Sequence, residues 1–304
     1  MEGALSLLLA APLAVGPLKA PAVPAARGVP RSAPQAVVVE SPSGAVIGQD
    51  ALFDRLARAD VVFAGEKHDE ALHHRVQAAL LEGLLARRPR LQLGLEMVSR
   101  DLQPTLDAWQ DGRMSDADFA AFWKRTWGFD YALYAPVLDY AKSHHVRVLG
   151  LNAPIGVIVQ VYRGGLSSLT AAQRAELPAS VAQTSDPSYL AYLRKTIDET
   201  HGHPPPAQLE NMLEAQAAWN ETMGETAARA LADGPLLVLA GTGHMLYRAG
   251  VPESLRRRRA AAEAVVLPWP DDGGGAALPD LLRDLRDPAR GNLGLADDFW
   301  LLPR

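Results

Sequence analysis

Five short apolar runs, each bounded by glycine or polar residues, constrain the fold of this chain more than any other feature. They are rich in leucine and β-branched residues and span residues 60–65, 91–96, 146–151, 236–241 and 263–267. Runs of this length without polar alternation are typical of parallel strands that are buried on both faces. Helical patterns lie between them, and alternation of strand and helix indicates an α/β fold. We therefore predict a mostly parallel central sheet flanked by helices.

The segments between these runs have the apolar spacing of helices. After the first strand an apolar residue recurs every four positions, at Leu72, Val76, Leu80 and Leu84. This spacing predicts a crossover helix with Asp69 as its N-terminal cap. Another helix is predicted to begin after Ser115, which with Asp118 resembles a capping box. Residues 154–233 contain no convincing strand, and we interpret them as a helical insertion that forms a lid.

The composition predicts one folded domain behind a segment that cannot bury itself. Of the 304 residues, 48% are hydrophobic and 21% are charged, which is ample apolar material for a packed core. Residues 20–43 consist largely of Pro, Ala and Val with little charge, as is typical of a linker. We assign residues 1–43 to a signal-like segment and linker, and residues 44–304 to a single α/β domain with the helical insertion at 154–233.

The first residues resemble an export signal. An apolar run from Leu5 to Val15 is followed by Ala20-Pro21-Ala22, which has the small-x-small form of a signal-peptidase site. Glu2 makes the start acidic instead of basic, so a cytoplasmic protein is the alternative. No stretch reaches the roughly 18 consecutive apolar residues of a membrane span. We expect an exported protein of the periplasm or cell envelope without a transmembrane span.

Charge and cysteine content exclude several classes of function. The formal net charge of -5 argues against a general nucleic-acid binder, because neutralising phosphates needs a basic surface. The basic run Arg256-Arg257-Arg258-Arg259 is local, and we interpret it as a solvated helix face. The chain has no cysteine, which excludes disulfides, thiolate nucleophiles, iron–sulfur clusters and a lipobox anchor. Any metal must therefore use His, Asp, Glu or Tyr.

Polar residues gather where the predicted strands end. Glu66 and His68 follow the first strand, Glu96 ends the second, Asn152 follows the third, and His244 follows the fourth. Ligands of parallel sheets bind beyond the carboxyl ends of the strands, so we expect these side chains to converge at one edge. Taken one at a time, such residues are more often helix caps or satisfied buried groups. Their presence at several strand ends together favours a functional site.

The chemistry of this cluster indicates hydrolysis of a peptide or ester. A divalent ion held by His68, Glu96 and His244 would lower the pKa of a bound water, and Glu66 would then act as the general base. Without a metal, His68 or His244 would be the base and Glu66 its partner. The chain has no Gly-x-Ser-x-Gly elbow, which disfavours a serine hydrolase.

The motifs resemble those of the ChaN-like haem-binding uptake proteins of the Tiki superfamily. They occur in the expected order over roughly residues 55–300, which makes the match more specific than a lone glycine motif. The matching segments are Gly65-Glu66-x-His68-Asp69, Gly94-Leu95-Glu96-Met97, Asn152-Ala153-Pro154, Gln216-x-x-Trp219, Gly241-x-Gly243-His244 and Ala296-Asp297-Asp298-Phe299-Trp300.

The resemblance implies an α/β core with a helical lid and two lines of function. ChaN-like proteins are iron-regulated lipoproteins that bind haem through a tyrosine at a subunit contact, which implies a haem ligand and a homodimer. The Tiki and erythromycin-esterase-like branches imply hydrolysis at Glu66, His68, Glu96 and His244, with a divalent metal such as Mn, Co or Zn in the Tiki proteases. The candidate haem contacts are Tyr131, Tyr134, Tyr247 and Met223 for the iron, Arg100 and Arg248 for the propionates, and Asn152 at the third strand end.

We expect from the sequence a haem-binding protein that takes part in haem or iron uptake or handling at the cell envelope. The first alternative is a metal-dependent peptidase or esterase that uses the Glu and His cluster. The second alternative is an inactive scaffold that binds a partner, because a fold does not fix a function.

Overall fold

The computed structural model describes residues 37–41, 43–269, 278–279, 282–283 and 294–302. Within these residues, eight strands form one sheet in the order β2-β1-β8-β7-β3-β6-β4-β5. The strands are β1 (Val37–Glu40), β2 (Ala45–Ile47), β3 (Val61–Glu66), β4 (Gln92–Ser99), β5 (Val148–Asn152), β6 (Leu236–Gly241), β7 (Glu263–Trp269) and β8 (Asp298–Leu301).

Ten α-helices accompany the sheet in the described part of the chain. They are α1 (Gln49–Leu56), α2 (Ala71–Leu85), α3 (Gln103–Gln110), α4 (Asp116–Thr126), α5 (Tyr131–Ser143), α6 (Ile155–Gly164), α7 (Ala171–Ala175), α8 (Pro187–His201), α9 (Pro206–Ala230) and α10 (Val251–Arg256).

The predicted α/β class and the mostly parallel sheet are confirmed. Strand β3 pairs in parallel with β6 and β7, and β4 pairs in parallel with β5 and β6. All five predicted strands are present within a few residues of their predicted bounds. Strands β1, β2 and β8 were not predicted, and β1 runs antiparallel to both β2 and β8. Val37 is already part of the sheet, so the folded domain extends ahead of the predicted boundary at residue 44. Val38 and Val39 are fully buried in it.

Alternation along the central strands divides the interior into two cores. In β3, Val61 and Phe63 lie in one core while Val62 and Ala64 lie in the other. Side chains of α1 to α5 pack in the core of Val62, and side chains of α6, α8, α9 and α10 pack in the core of Val61. Side chains of successive residues in a strand point to opposite faces, so an all-apolar strand requires helices on both sides.

The helices follow the predicted pattern with two local corrections. Glu70, and not Asp69, is the N-terminal cap residue of α2, because the backbone of Glu70 is extended and the helix begins at the next residue. Ser115 caps α4 as predicted, accepting a hydrogen bond from the Asp118 backbone N–H at 3.1 Å. Residues 154–233 contain helices and no strand, and α9 packs against α6, α10 and β5. The role of this insertion as a lid stays a prediction.

The arginine run at the end of α10 is exposed at Arg256, Arg257 and Arg259, as predicted, but it also neutralises a buried acid. Arg257 and Arg258 both form ion pairs with Glu221 of α9, whose side chain is 2% exposed. A buried carboxylate needs charged partners, and these two guanidinium groups supply them.

None of the helices in the described ranges is long and apolar enough to cross a membrane. The predicted export signal, with its apolar run and Ala20-Pro21-Ala22, lies outside the described residues.

Candidate functional site

The carboxyl ends of β3, β6 and β4 bring the predicted cluster together. Strand β6 lies between β3 and β4, and Glu66 of β3 is in register with Gly241 of β6. Glu96 lies within β4, and its Oε2 atom accepts a hydrogen bond from the Gly241 backbone N–H at 2.6 Å. His68 and His244 follow β3 and β6 by two and three residues. The site therefore has two acids and two imidazoles grouped around one backbone position.

Glu66 is the centre of the first half of the site. Its Oε1 accepts hydrogen bonds from the Nδ1 atom of His68 at 2.6 Å and from the Tyr134 hydroxyl at 2.7 Å. Its Oε2 accepts from the Gln77 amide at 3.0 Å and lies 3.0 Å from the Nδ1 atom of His74. The carboxylate is fully buried, and each of these neighbours can donate to it.

His74 holds a proton on both ring nitrogens in this arrangement. Its Nε2 atom faces the backbone carbonyl of His68 at 3.2 Å, which can only accept. Its Nδ1 atom faces Glu66 and the side-chain oxygen of Gln77 at 3.1 Å. An imidazole that donates from both nitrogens is the charged form. We therefore describe Glu66 and His74 as a buried ion pair.

The pKa values follow from these contacts. Burial alone would raise the pKa of Glu66, but the charges and hydrogen bonds of His74 and His68 hold it far below its usual value. Burial would lower the pKa of His68, but the hydrogen bond to Glu66 and the charge of Glu96 raise it. The pKa of His74 is raised, against burial, by Glu66 in the same way. Burial and the adjacent Glu66 charge raise the pKa of Tyr134 well above its usual value.

Glu96 and His244 form the second half of the site. Glu96 Oε1 lies 3.1 Å from the Nε2 atom of His244. On the other side of the ring, the Nδ1 atom of His244 lies 2.7 Å from the Asn220 side-chain oxygen and 3.1 Å from the Gln216 amide nitrogen. Burial alone would raise the pKa of Glu96, but the charge and hydrogen bond of His244 lower it. Helix α9 therefore orients His244 toward the acid.

Gly241 allows the two halves to approach each other. A Cβ atom at this position would lie 2.9 Å from Cε1 of His68 and 3.6 Å from Oε2 of Glu96. The first distance is shorter than van der Waals contact, so a side chain would push the imidazole away. The absence of a side chain at Gly241 therefore lets the backbone approach the ring of His68 closely.

His68 is the member of the cluster that solvent reaches. Its side chain is 18% exposed, whereas those of Glu66, Glu96 and His244 are at most 6% exposed. Two aromatic rings flank it: Trp127 lies edge-on at 4.8 Å between ring centres, and Phe129 is tilted at 5.4 Å. Both aromatic side chains are partly exposed. A molecule that reaches the cluster therefore meets His68 and these two rings.

The predicted metal site at His68, Glu96 and His244 is not supported. The described residues include no group of three or more His, Asp or Glu side chains that could hold a metal ion. The physical reason is that the ligand atoms face one another: the Nδ1 atom of His68 bonds Glu66, and Oε2 of Glu96 bonds the Gly241 N–H. The Nε2 atom of His244 is likewise turned toward Oε1 of Glu96.

Three of the predicted haem contacts are buried, and two more, Tyr131 and Arg100, are partly exposed and hold polar partners. Met223 and Tyr134 are fully buried, and the Tyr134 hydroxyl donates to Glu66. Asn152 is buried and uses its amide to bond the Glu96 carbonyl and the Ala153 N–H. The Tyr131 hydroxyl donates to Asp139 at 2.7 Å, and burial followed by that carboxylate raises the pKa of Tyr131. Arg100 forms an ion pair with Glu225 and bonds the Glu176 carbonyl.

Tyr247 differs from Tyr131 and Tyr134 in its backbone conformation. It is partly exposed and lies in the loop that also holds His244. Its φ is 58° and that of Arg248 is 54°, so two successive residues with side chains adopt the left-handed conformation. This region is sparsely populated by residues other than glycine, and each costs about 1–2 kcal/mol. Burial and then the charge of Asp186 raise the pKa of Tyr247.

Sequence reasoning missed the residues that orient the cluster. Tyr134 was predicted to contact haem, and no role was predicted for Asn220 or Phe129. His74 and Gln77 lie three residues apart on α2, which places them on one face of the helix toward the strand end. That spacing was the signal available in the sequence for the first half of the site.

Comparison with known proteins identifies the relatives of this chain. The family model described as haem-binding uptake, Tiki superfamily, ChaN matches residues 52–255, more than half of the chain. The structure of cofacial haem binding to ChaN of Campylobacter jejuni is 18% identical with a TM-score of 0.66, and the match covers 88% of this chain and 96% of that one. A mutant of the erythromycin esterase EreC in its open conformation is 13% identical with a TM-score of 0.44, over 72% of each chain.

A curated relative is a much longer protein. The Arabidopsis thaliana protein RETICULATA-RELATED 5, chloroplastic, is 24% identical over 235 residues, which are 70% of this chain. The chain spans 31% of the length of that relative. At 18% identity the ChaN structure shows the fold, and the family model shows the family.

Proposed function

The chain belongs to the haem-binding uptake family of the Tiki superfamily, the ChaN family, and we propose on that premise that it binds haem and acts in haem or iron uptake at the cell envelope. Export to the periplasm and a homodimer are part of this proposal. The export signal predicted from Leu5–Val15 and Ala20-Pro21-Ala22 supports the location.

The strained pair Tyr247-Arg248 is the observation that supports haem binding on this chain. A haem site needs an accessible axial ligand and a cation near the propionates. Tyr247 offers a partly exposed phenol, and the neighbouring Arg248 is exposed and paired with Asp297. Backbone strain of this kind persists where the surrounding structure enforces it, and it is concentrated at functional sites. Haem would supply iron for the Tyr247 oxygen and propionates for Arg248.

Ligation by Tyr247 requires loss of its proton. Because burial and Asp186 raise the pKa of Tyr247, the phenol is neutral before haem binds. Each binding event is then expected to release one proton, and the apparent affinity for ferric haem should rise with pH. This coupling distinguishes a phenol ligand from an imidazole, which binds metal in its neutral form.

Haem titration of tyrosine variants tests the proposal. We expect the Tyr247→Phe variant to shift the Soret band and to bind haem at least tenfold more weakly than the parent protein. Tyr131→Phe is the matched control, because its hydroxyl is held by Asp139, and its spectrum should match that of the parent. Unchanged spectra and affinity in Tyr247→Phe would contradict the assignment of the ligand.

The Glu66–His68 pair supports a second candidate, a hydrolase that works without a metal. Because the Nδ1 atom of His68 donates to Glu66, its Nε2 atom is the one that can accept a proton from water. A carboxylate that fixes the imidazole in this way is the arrangement of a general base. His68 is also the exposed member of the cluster. We propose that water attacks the carbonyl carbon of an ester or amide here while its proton passes to the Nε2 atom of His68. The imidazolium then returns that proton to the leaving alcohol or amine as the C–O or C–N bond breaks, which leaves a carboxylic acid.

A panel of esters and peptides, assayed with and without EDTA, tests this second candidate. Turnover should survive EDTA and fall by roughly 10²–10⁴-fold in His68→Gln, the usual contribution of a general base. His144→Gln is the matched control, because His144 is exposed and stacks on Tyr140 away from the cluster. Turnover that EDTA abolishes, or that His68→Gln retains, would refute a metal-free mechanism.

A further inference from the structure

The connection between α4 and α5 lies beside the Glu66–His68 pair and contains Trp127, Gly128 and Phe129. We call the side chains of Trp127 and Phe129 the aromatic wall. The rings of Trp127 and Phe129 lie 5.7 Å apart at 44° to each other. Each also contacts the ring of His68, at 4.8 Å and 5.4 Å. Three rings therefore form a corner that is partly open to solvent.

The aromatic wall is tied to the acid of the pair as well as to the imidazole. The Trp127 indole N–H donates to the Tyr134 hydroxyl at 3.1 Å, and that hydroxyl donates to Glu66. Glu66 in turn bonds His68, whose ring packs against Trp127. These contacts hold the Trp127 indole in a fixed position relative to the Nε2 atom of His68. A ring held by a hydrogen bond and by packing is pre-organised, which lowers the entropy lost when a ligand binds.

The turn that presents the wall faces open space. Gly128 has a φ of 90°, and a Cβ atom built on it would meet no atom within 4 Å. The glycine allows the chain to reverse between the two aromatic residues without a side chain in front of them. The wall is thus accessible from the solvent side of the turn.

The two exposed charged residues that flank His68 in the chain are paired with each other. Lys67 and Asp69 flank it in the chain, both are exposed, and their charged atoms lie 3.8 Å apart. A rim with one cation and one anion offers no net attraction for an ionic ligand. Aromatic faces attract flat apolar groups by offset or edge-on stacking, at about 0.5–1.5 kcal/mol beyond the buried area.

We infer that Trp127 and Phe129 select a ligand that presents an uncharged, planar aromatic group to His68. For the metal-free hydrolase, on which this inference rests, the substrate class is an ester or amide with an aromatic ring next to the scissile carbonyl group. The ring would stack in the corner of Trp127 and Phe129 and place the carbonyl carbon at the Nε2 side of His68. Both residues determine specificity, and neither takes part in proton transfer.

Binding of three slowly hydrolysed amides tests the inference separately from catalysis. Benzamide has a planar aromatic ring, cyclohexanecarboxamide has an apolar ring that is not planar, and acetamide has none. Binding is followed by NMR of the full chain, through the imidazole C–H signals of His68, which are assigned by their loss in His68→Gln. We expect benzamide to bind at least tenfold more tightly than acetamide and at least threefold more tightly than cyclohexanecarboxamide.

Variants of the wall then localise the effect. Trp127→Ala and Phe129→Ala should each weaken benzamide at least fivefold and leave acetamide unchanged, while Trp127→Phe, which keeps a ring, should retain most of the affinity. Tyr140→Ala is the matched control, because Tyr140 also stacks on a histidine, His144, at 3.9 Å. If Trp127→Ala does not fold, the affinity of Phe129→Ala for benzamide tests the inference by itself.

Two results would overturn the inference: equal affinity for benzamide and acetamide, or full benzamide affinity in Phe129→Ala. Failure of the hydrolase proposal has a different signature, namely benzamide bound at His68 without turnover of any aromatic ester. The two failures are therefore distinguishable.

Discussion

Replacing Glu66 with Gln is expected to destabilise the fold, although the two side chains have nearly the same shape. The carboxylate accepts hydrogen bonds from His68, Tyr134 and Gln77, and His74 lies against it as a cation. A Gln side chain keeps one accepting oxygen and turns an NH₂ group toward the remaining donors. If the oxygen stays with His68 and Tyr134, the NH₂ group faces His74 and the Gln77 amide. Two hydrogen bonds are then lost, and buried N–H donors face one another without an acceptor between them.

The size of the loss follows from the number of contacts. A hydrogen bond to a charged group contributes about 1.5–3 kcal/mol, so two lost bonds correspond to about 3–6 kcal/mol. Reorientation of the Gln77 amide recovers part of this. Removing one partner of a buried ion pair typically costs about 3–5 kcal/mol, and we expect the free energy of unfolding to fall by that amount. Glu82→Gln on the exposed face of α2 is the matched control and should change it by less than about 0.5 kcal/mol.

The destabilisation should depend on pH in a defined direction. The pKa of Glu66 is lowered in the folded state, so its contribution is present above its usual pKa of 4.5 and is lost as the pH falls through the folded value. The pKa values of His68 and His74 are raised, so their contributions are present below 6.5 and are lost as the pH rises through the folded values. The difference between parent and variant is therefore largest between pH 4.5 and 6.5.

Equilibrium unfolding in urea, repeated from pH 4 to pH 9, measures this difference. A loss below about 1 kcal/mol at pH 6 would show that the four contacts to Glu66 do not form a charged network. A loss that grows steadily toward alkaline pH would show that the sign of the histidine shifts is wrong.

Two further predictions concern other parts of the fold. Gly241→Ala should destabilise the chain by about 1–3 kcal/mol, because the new Cβ atom would lie 2.9 Å from Cε1 of His68. Gly156→Ala on α6 is the control and should not destabilise the chain, because a Cβ atom there meets no atom within 4 Å. Equal unfolding midpoints in urea for the two variants would contradict this. Burial, opposed by Arg55, raises the pKa of Asp298 from 3.8 to about 6, so its ionised form costs folding free energy that grows as the pH rises through this range. Asp298→Asn should thus raise the free energy of unfolding by about 3 kcal/mol at pH 7.5 and leave it nearly unchanged near pH 4; a lower melting temperature at pH 7.5 would refute this.

The apolar runs predicted the central strands well because burial on both faces leaves little choice of residue. Strand β6 was predicted with its observed bounds, and β3 to within one residue at each end. Strands β1 and β8 were missed for a physical reason. They are four residues long, and each pairs with a neighbour that is distant in the sequence, as Val38 does with Trp300. No local periodicity marks such a pairing.

The convergence of the acids and imidazoles was predictable, but their contacts were not. Strand order places β6 between β3 and β4, and the sequence alone does not determine strand order. The choice between a shared metal and two acid–imidazole pairs depends on distances of a few tenths of an ångström. Tyr134 shows the same limit: a tyrosine near a site is a candidate ligand in sequence, and only the position of its hydroxyl identifies it as a donor to Glu66.

The loop between β6 and α10 links the proposed haem ligand to the second half of the acid–imidazole cluster. His244 at its start bonds Glu96, and Tyr247 and Arg248 adopt their left-handed conformations three and four residues later. The Tyr189 hydroxyl donates to the carbonyl of Gly243 at 2.6 Å, which anchors the loop to α8. The backbone N–H of Tyr247 donates to Leu295 at 3.1 Å, which anchors it to the chain before β8. A ligand that draws Tyr247 outward must act against both anchors, and the displacement would reach His244 through two intervening residues. Haem at Tyr247 should therefore disturb the Glu96–His244 pair before it disturbs Glu66 and His68, which belong to a different strand end and are held by α2 and α5.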